Sequence, residues 1–244
     1  MKKPMIFGTL LILIALLTSA CEINITTGSG KVVTQTKAVS GFSSVTFAGL
    51  GELNITQGAS ESLTIEGEDN VLARLLVEVK NGVLYIGFER ENWQDMVRPT
   101  RLLKFDLKVK NLNNLDLSGA GSVNIPKLQA ENLVCKVSGA GGVKISQLTA
   151  TNVSCTLSGA GNVELSGKVT NQSITLSGLG NYSGGDLQSA SGSIALTGAG
   201  GATLWARDVL NVKISGAGSV SYYGTPKLNK EITGLGVLNS LGAK

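Results

Sequence analysis

Two pairs of charged residues lie at intervals that could bring them together on a substrate. Asp116 and Lys136 are 20 residues apart, and so are Lys144 and Glu164. Carboxylates grouped with lysine or arginine on one outer face are the kind of side chains that polysaccharide lyases and glycosidases use. The same pairs could instead form surface salt bridges worth about 0–1 kcal/mol each, and we favour this second interpretation.

Other catalytic chemistry finds little support in the composition. The chain contains no histidine, which removes the Ser-His-Asp and Cys-His arrangements and all histidine ligands for metals. We therefore predict no catalytic residues, no metal site and no cofactor. The formal net charge of +4 is spread over 244 residues, unlike the basic stripe of a nucleic-acid-binding protein, so we expect no nucleic acid partner.

Cys135 and Cys155 are also 20 residues apart. Stacked strands would bring their Cα atoms within the range of about 4.4–6.8 Å that a disulfide needs, and an oxidising compartment would permit the bond. The alternative, which we favour, is two buried thiols that act as small apolar side chains. Metal binding would need further ligands, which the sequence does not supply.

The segment from Glu89 to Arg101 is rich in charge in a chain where charged residues make up only 16%. It contains Trp93 together with Arg90, Arg98 and Arg101. A tryptophan among arginines and carboxylates could stack on a sugar ring or anchor a protein partner. The alternative, which we favour, is a solvated loop whose Trp93 folds back over the end of the domain.

The N-terminus carries the pattern of an export signal. Lys2 and Lys3 precede an apolar run over residues 5–17, which is shorter than the roughly 20 residues that span a bilayer. Cys21 follows the small residues 18–20 and resembles the lipidated cysteine of bacterial lipoproteins. The resemblance implies acylation of Cys21 and a membrane anchor; the alternative is simple cleavage that leaves a free thiol.

We accordingly predict a signal peptide over residues 1–20 and a polar tether over residues 21–38. An N-terminal β module would cover residues 39–110 and could close one end of the domain. Within it, residues 69–80 suit either a short amphipathic helix or a strand, and Asn81-Gly82 predicts a tight turn. Residues 111–244 would form an array of repeats.

That array is built on one motif of five residues: an aliphatic residue, Ser or Thr, Gly, Ala or Leu, and Gly. The first glycines of successive motifs are 18 to 20 residues apart, a spacing typical of a solenoid with one coil per repeat. These glycines are Gly119, Gly139, Gly159, Gly178, Gly198, Gly216 and Gly234.

Between the motifs, apolar residues alternate with polar ones, as in Val153-Ser154-Cys155-Thr156-Leu157. Period two indicates strands, and no run is long enough for a helix in each coil. The sequence therefore predicts an all-β fold, a parallel β-helix with coils of roughly 18–20 residues. Glycine would serve corners that need either a positive φ or a residue without Cβ.

Several motifs together resemble the head GIN domain family of putative auto-transporter adhesins. They are Val-Ser-Gly-Phe at 39–42, Gly-Leu-Gly-Glu-Leu-Asn-Ile-Thr-Gln-Gly at 49–58, Glu-Gly-Glu-Asp-Asn at 66–70, Asn-Gly-Val-Leu-Tyr-Ile at 81–86 and the repeated Leu-Ser-Gly-Ala-Gly. The resemblance extends over about residues 39–236. It implies a right-handed parallel β-helix that is often exported and lipid-anchored in bacteria. It brings no established activity and no site residues.

Three functional hypotheses follow. The first is a non-enzymatic, lipid-anchored surface protein of the bacterial cell envelope that binds a glycan or a protein through many shallow contacts. The second is a carbohydrate-active enzyme that uses the charged pairs described above. The third is a structural role in envelope assembly, in which coil ends stack into oligomers.

Overall fold

The structure is a computed structural model that describes residues 25–89 and 95–244. The predicted signal peptide, Cys21, Arg90 and Trp93 lie outside the described residues. The described chain consists of strands and a short helix, numbered here in chain order: β1 (Ile25–Thr27), β2 (Val32–Lys37), β3 (Ser44–Phe47), β4 (Glu52–Gln57), β5 (Ser62–Glu68), α1 (Asp69–Leu72), β6 (Leu75–Lys80), β7 (Val83–Phe88), β8 (Met96–Arg98), β9 (Lys104–Val109), β10 (Asn114–Leu117), β11 (Ser122–Ile125), β12 (Leu128–Val137), β13 (Gly142–Leu157), β14 (Asn162–Leu176), β15 (Asn181–Leu196), β16 (Gly201–Ile214), β17 (Ser219–Tyr223), β18 (Lys227–Ile232) and β19 (Val237–Ser240).

From β10 onward the chain winds into stacked parallel coils, which confirms the predicted β-helix. In one coil, residues 132–137 form a first face, residues 142–145 a second and residues 148–150 a third. Each segment pairs in parallel with the equivalent segment of the next coil, so that Cys135 is opposite Cys155 and Val143 is opposite Val163. Among residues 25–89 and 95–244, no helix is long and apolar enough to cross a membrane.

The core consists of columns of apolar side chains that stack from coil to coil. Two columns on the first face follow the predicted registration and are at most 3% exposed. Burial of such a side chain contributes about 1.5–3 kcal/mol, so the columns supply much of the stability of the array. Their members are Leu115, Cys135, Cys155, Ile174, Ile194 and Val212, and Leu117, Val137, Leu157, Leu176, Leu196 and Ile214.

The corner glycines are required by close contact between coils. A Cβ added to Gly159 would overlap the carbonyl oxygen of Gly139, the equivalent glycine of the preceding coil. That same oxygen accepts a hydrogen bond from the backbone N–H of Ala160, at 3.2 Å. None of the first glycines of the five-residue motifs has a positive φ. Of the two reasons that the sequence left open, the structure selects the missing side chain.

The N-terminal module both extends the solenoid and closes its end. β3 lies between β10 and β7, and β4 lies between β11 and β9, with all four pairings parallel. Beyond this layer the pairings become antiparallel, with β6 on β7, β5 on β9 and β2 on β5. The strands β2, β5 and β6 are called the cap below. Residue 110, the predicted module boundary, therefore falls within one continuous sheet.

Two strands lie where the sequence predicts a polar tether. β2 pairs along its whole length with β5, and β1 pairs with β8. The tether prediction is thus wrong for residues 25–27 and 32–37. Their polar sequence does not reveal these strands, because an edge strand is held by backbone hydrogen bonds. Such a strand needs few buried side chains, and Val33 in β2 is only half-buried.

The ambiguous segment at 69–80 divides into both predicted forms. α1 is a single short turn, and β6 forms a hairpin with β7. Asn81 and Gly82 connect the two strands with φ values of 52° and 75°. Two successive positive φ angles define a type I′ turn, which confirms the predicted tight turn.

Glu68, the last residue of β5, connects the loop before β2 to the residues that follow β8. Its side chain is fully buried, and its carboxylate accepts hydrogen bonds from the N–H of Gly30 (2.6 Å), the N–H and hydroxyl of Thr100 (2.7 and 2.6 Å) and the N–H of Arg101 (3.1 Å). The hydroxyl of Thr100 contributes most to lowering the pKa of Glu68 from 4.5 to about 2, and the backbone donors add to it. The folded state therefore prefers the ionised carboxylate.

Replacement of a corner glycine tests the contact between coils. Gly159→Ala should lower the free energy of unfolding by about 1–3 kcal/mol, because the new methyl group meets backbone that cannot move aside. Gly142→Ala is the matched control, since its Cβ would make an ordinary van der Waals contact, 3.6 Å from the carbonyl oxygen of Asn162. Urea denaturation measures both, and equal effects would contradict the explanation.

Replacement of Glu68 tests the cap. Because the folded pKa lies below the ordinary value, the stabilisation by Glu68 is complete above about pH 4.5 and is lost as the pH falls towards 2. Glu68→Gln should lower the midpoint of thermal unfolding at pH 7 by about 5 °C and flatten the decline between pH 4.5 and 2. Glu164→Gln, at an exposed ion pair, is the control. An unchanged acid profile in Glu68→Gln would refute this role.

Candidate functional site

The two predicted charged pairs lie on different faces. The Lys144 Nζ atom is 2.8 Å from Glu164 Oε1 on the second face, and both side chains are about half exposed. Asp116 is opposite Lys136 on the first face. The described residues contain no group of three or more Cys, Asp or Glu that could hold a metal ion. The structure does not assemble the four charged residues into one site.

Cys135 and Cys155 are register partners in the core, as their spacing predicts. Both are buried and both are free thiols in this structure. A hydrogen bond with the Cys135 thiol, together with burial, raises the pKa of Cys155 well above its ordinary value. Cys155 therefore stays protonated. Both buried side chains act as apolar members of the column.

Of the predicted binding loop, Arg98 and Arg101 are described. Both are exposed and lie beside the cap: Arg98 ends β8, and the backbone N–H of Arg101 donates to Glu68. The role proposed for Trp93 and Arg90 stays a prediction.

The outward side of the first face forms a shallow trough along the solenoid. Three depressions of about 280, 410 and 410 Å³ follow one another on this face, from Ser44 and Asn114 at the capped end to Asn229 and Glu231 at the other. The middle of the trough has no charged side chain, and small polar side chains line it together with apolar surface such as that of the half-buried Val134. The polar side chains include Asn132, Asn152, Ser154, Asn171, Ser173 and Ser193.

One edge of the trough is an asparagine ladder. The Nδ2 atom of Asn152 donates to Oδ1 of Asn132 at 2.8 Å, and Asn171 donates to Asn152 in the same way. Asn229 and Asn211 repeat the contact further along, also at 2.8 Å. Stacked amides of this kind fix the side chains that border the trough, because each amide is held by its neighbour.

A second surface feature arises where the repeat becomes irregular. Gly184 is opposite Leu204 and Gln188 is opposite Trp205, so residues 185–187 bulge out of the β15–β16 pairing. In the next coil Tyr223 is opposite Trp205. The two aromatic side chains are half-buried and lie on the outside of the second face, next to the bulge.

A buried polar network supports this irregularity. Gln172 takes a core position that is Val153 in the preceding coil. Its Nε2 donates to the Ser189 hydroxyl (2.8 Å) and to the carbonyl of Trp205 (3.1 Å), and its Oε1 accepts from the Tyr182 hydroxyl (3.0 Å). The network therefore satisfies a carbonyl beside the bulge. Burial raises the pKa of Tyr182 well above its ordinary value, so the phenol stays a donor.

The side chain of Lys244 lies against this aromatic pair. Its Nζ atom is 4.7 Å from the centre of the Tyr223 ring and 5.5 Å from that of Trp205. The same atom donates to the carbonyl of Gly185 at 2.8 Å and pairs with the carboxylate of Asp186. The four groups that contact the ammonium, Gly185, Asp186, Trp205 and Tyr223, are called the amine site below.

Sequence reasoning missed the amine site. It concentrated on Trp93, whereas the outward aromatic pair of the array belongs to Trp205 and Tyr223. A signal was available, because the spacing between corner glycines falls from 20 residues to 18 at Gly198–Gly216, the repeat that contains Trp205.

Comparison with known proteins decides the family. A family model described as "Putative auto-transporter adhesin, head GIN domain" matches residues 41–226. The chain belongs to this family. The match includes Gly185, Asp186, Trp205 and Tyr223 of the amine site and most of the trough, whereas β1, β2 and residues 229–231 lie outside it. No curated protein matches the sequence at a significant level.

Solved structures share the fold of this head GIN domain. A putative adhesin from Bacteroides fragilis is 26% identical with a TM-score of 0.84, covering 88% of this chain and all of the other. A putative lipid binding protein from Parabacteroides distasonis is 24% identical with a TM-score of 0.73, covering 89% and all of the other. A putative adhesin from Parabacteroides merdae is 20% identical with a TM-score of 0.69, covering 89% of this chain and 99% of the other. The last two likenesses show the fold alone.

Proposed function

We propose that this head GIN domain is an exported, lipid-anchored and non-enzymatic adhesin whose trough binds a neutral glycan chain. The observation that carries the proposal is the trough itself: a depression that follows the first face through successive coils and whose middle has hydroxyl and amide side chains but no charged one. The family and the similar solved structures support an adhesin.

The chemistry of the lining favours a sugar polymer. Side-chain hydroxyls and amides both donate and accept hydrogen bonds, as sugar hydroxyls do. Charges occur at the ends of the trough, with Asp116 and Lys136 at one end and Lys213 and Glu231 at the other. A neutral ligand therefore avoids the cost of desolvating a charge in the middle, where no opposite charge would compensate it.

The geometry favours an extended ligand. Neighbouring coils are about 4.8 Å apart, so equivalent positions repeat at the spacing of adjacent strands. A polymer that follows the solenoid axis can make a related set of contacts in each coil, and weak contacts accumulate along its length. Such a shallow surface suits retention of a partner rather than the enclosure of a reacting group.

The position of Cys21 suits a lipid anchor. Cys21 precedes Ile25, the first residue of β1, by four residues, a span of at most about 14 Å. β1 pairs with β8 beside the antiparallel strands of the cap. An acylated Cys21 would hold the cap near the membrane, and the trough would extend away from the membrane along the solenoid.

Blocking the trough tests the binding proposal. Ser173 is exposed in the middle of the trough, and Ser173→Trp should reduce binding to immobilised neutral polysaccharides by about tenfold or more because the indole fills the depression. Ser146→Trp, at an exposed serine after the second face, is the matched control. A panel of glucans, mannans and galactans provides the measurement. Binding only to charged polymers, or equal loss in the control, would contradict the proposal.

Protease treatment of intact and lysed cells tests export and anchoring. We expect the wild-type protein to be digested on intact cells and Cys21→Ala to appear in the medium, because loss of the acyl group removes the membrane attachment. Protection of the wild type until lysis would contradict surface exposure. Retention of Cys21→Ala on the cells would contradict the lipid anchor.

A further inference from the structure

We propose that the amine site is a recognition site for a protonated lysine side chain of a partner polypeptide, and that Lys244 occupies it in cis until the partner displaces it. The site is separate from the trough, since it lies on the second face, and it selects a cation where the trough selects a neutral chain. The proposal thus goes beyond glycan binding.

The contacts of Lys244 show that the site satisfies an ammonium group. One N–H is accepted by the carbonyl of Gly185, another by the carboxylate of Asp186, and the rings of Trp205 and Tyr223 face the remaining positive charge. A carboxylate, a carbonyl and two aromatic faces are the groups that proteins use to bind ammonium cations. A neutral ligand would leave the charge of Asp186 without an opposite charge, and an anionic ligand would be repelled by it.

The site remains open to solvent while Lys244 is in place. The side chain of Asp186 is 73% exposed and that of Lys244 is 34% exposed. Lys244 belongs to a segment that the described residues hold by few backbone contacts: Leu241 N–H to the carbonyl of Tyr222, and Gly224 N–H to the carbonyl of Gly242, both 2.8 Å. A competing lysine can therefore enter without opening the core.

The protein departs from its own repeat to form this site. The bulge at residues 185–187 and the polar residue Gln172 in an apolar column both interrupt a regular solenoid. The polar network holds the carbonyl of Trp205 and so fixes the strand that presents the indole. Local violations of the repeat pattern, supported by buried partners, are typical of functional positions.

The surroundings favour a polypeptide as the source of the lysine. β19 leads directly into the Lys244 segment, and exposed apolar side chains occur at this end of the chain: Ile232, Leu235, Val237 and Leu241. Leu235 is 89% exposed. Among the described strands, β18 and β19 are each paired on one side only. A polypeptide can use apolar contacts and a strand edge in addition to the ammonium, whereas a small amine cannot.

Lys244 acts as a tethered competitor. A group attached to the same chain is present at an effective concentration in the millimolar range, so the wild-type site responds only to ligand that exceeds this competition. Removal of the Lys244 ammonium should therefore increase the apparent affinity for lysine. A purely structural contact would predict no such gain.

Fluorescence of Trp205 provides the test. The chain contains two tryptophans, so Trp93→Phe leaves Trp205 as the reporter. In this background, Lys244→Met should bind the peptide acetyl-Gly-Lys-Gly-amide with a saturable fluorescence change, at least about tenfold more tightly than the protein that retains Lys244. The same peptide with norleucine in place of lysine should produce no saturable change. Adding Asp186→Asn should weaken lysine binding about tenfold.

Controls separate this site from the trough. Ser173→Phe, which fills the trough without adding a second indole, should bind the lysine peptide unchanged in the Trp93→Phe, Lys244→Met background, and thermal unfolding verifies that each variant is folded. Equal responses to lysine and norleucine, or no gain on removal of Lys244, would overturn the proposal. Preference for a glucosamine oligomer over the lysine peptide would overturn the assignment to a polypeptide.

Discussion

The close approach of backbone at the Gly-x-Gly corner is the constraint on which the rest of the structure depends. The Cα hydrogens of one coil face the carbonyl oxygens of the preceding coil, with no room for a methyl group at Gly159 and its equivalents. Coils stacked this closely keep their strands in hydrogen-bonding register. Register in turn aligns the inward residues into columns, because a shift by one residue would turn every side chain to the other side.

The same register determines the outer surface. Side chains that alternate with the core columns repeat at coil spacing, which produces both the asparagine ladder and the row of small hydroxyls in the trough. A repetitive surface suits repetitive ligands. The amine site needs the opposite condition, a local break in register, and the protein stabilises that break with the buried hydrogen bonds of Gln172, Ser189 and Tyr182.

The two ends of the solenoid differ in how far other strands cover them. At the N-terminal end, antiparallel strands cover the last parallel layer, and the buried carboxylate of Glu68 joins the N-terminal segment to the residues after β8. At the other end, exposed apolar residues and the Lys244 segment follow the last described strand. This polarity places the proposed anchor and the amine site at opposite ends of the domain.

The period, the strand alternation, the two first-face columns and the turn at Asn81-Gly82 could be predicted from the sequence alone, because each depends on local spacing and residue type. The sequence could not reveal that β2 joins the sheet, since an edge strand held by backbone bonds has no distinctive side chains. Nor could it reveal the Glu68 contacts with Gly30 and Thr100, or the meeting of Lys244 with Asp186 and Trp205. Those residues are far apart in sequence, and only the stacking of coils and the closure of the cap bring them within bonding distance.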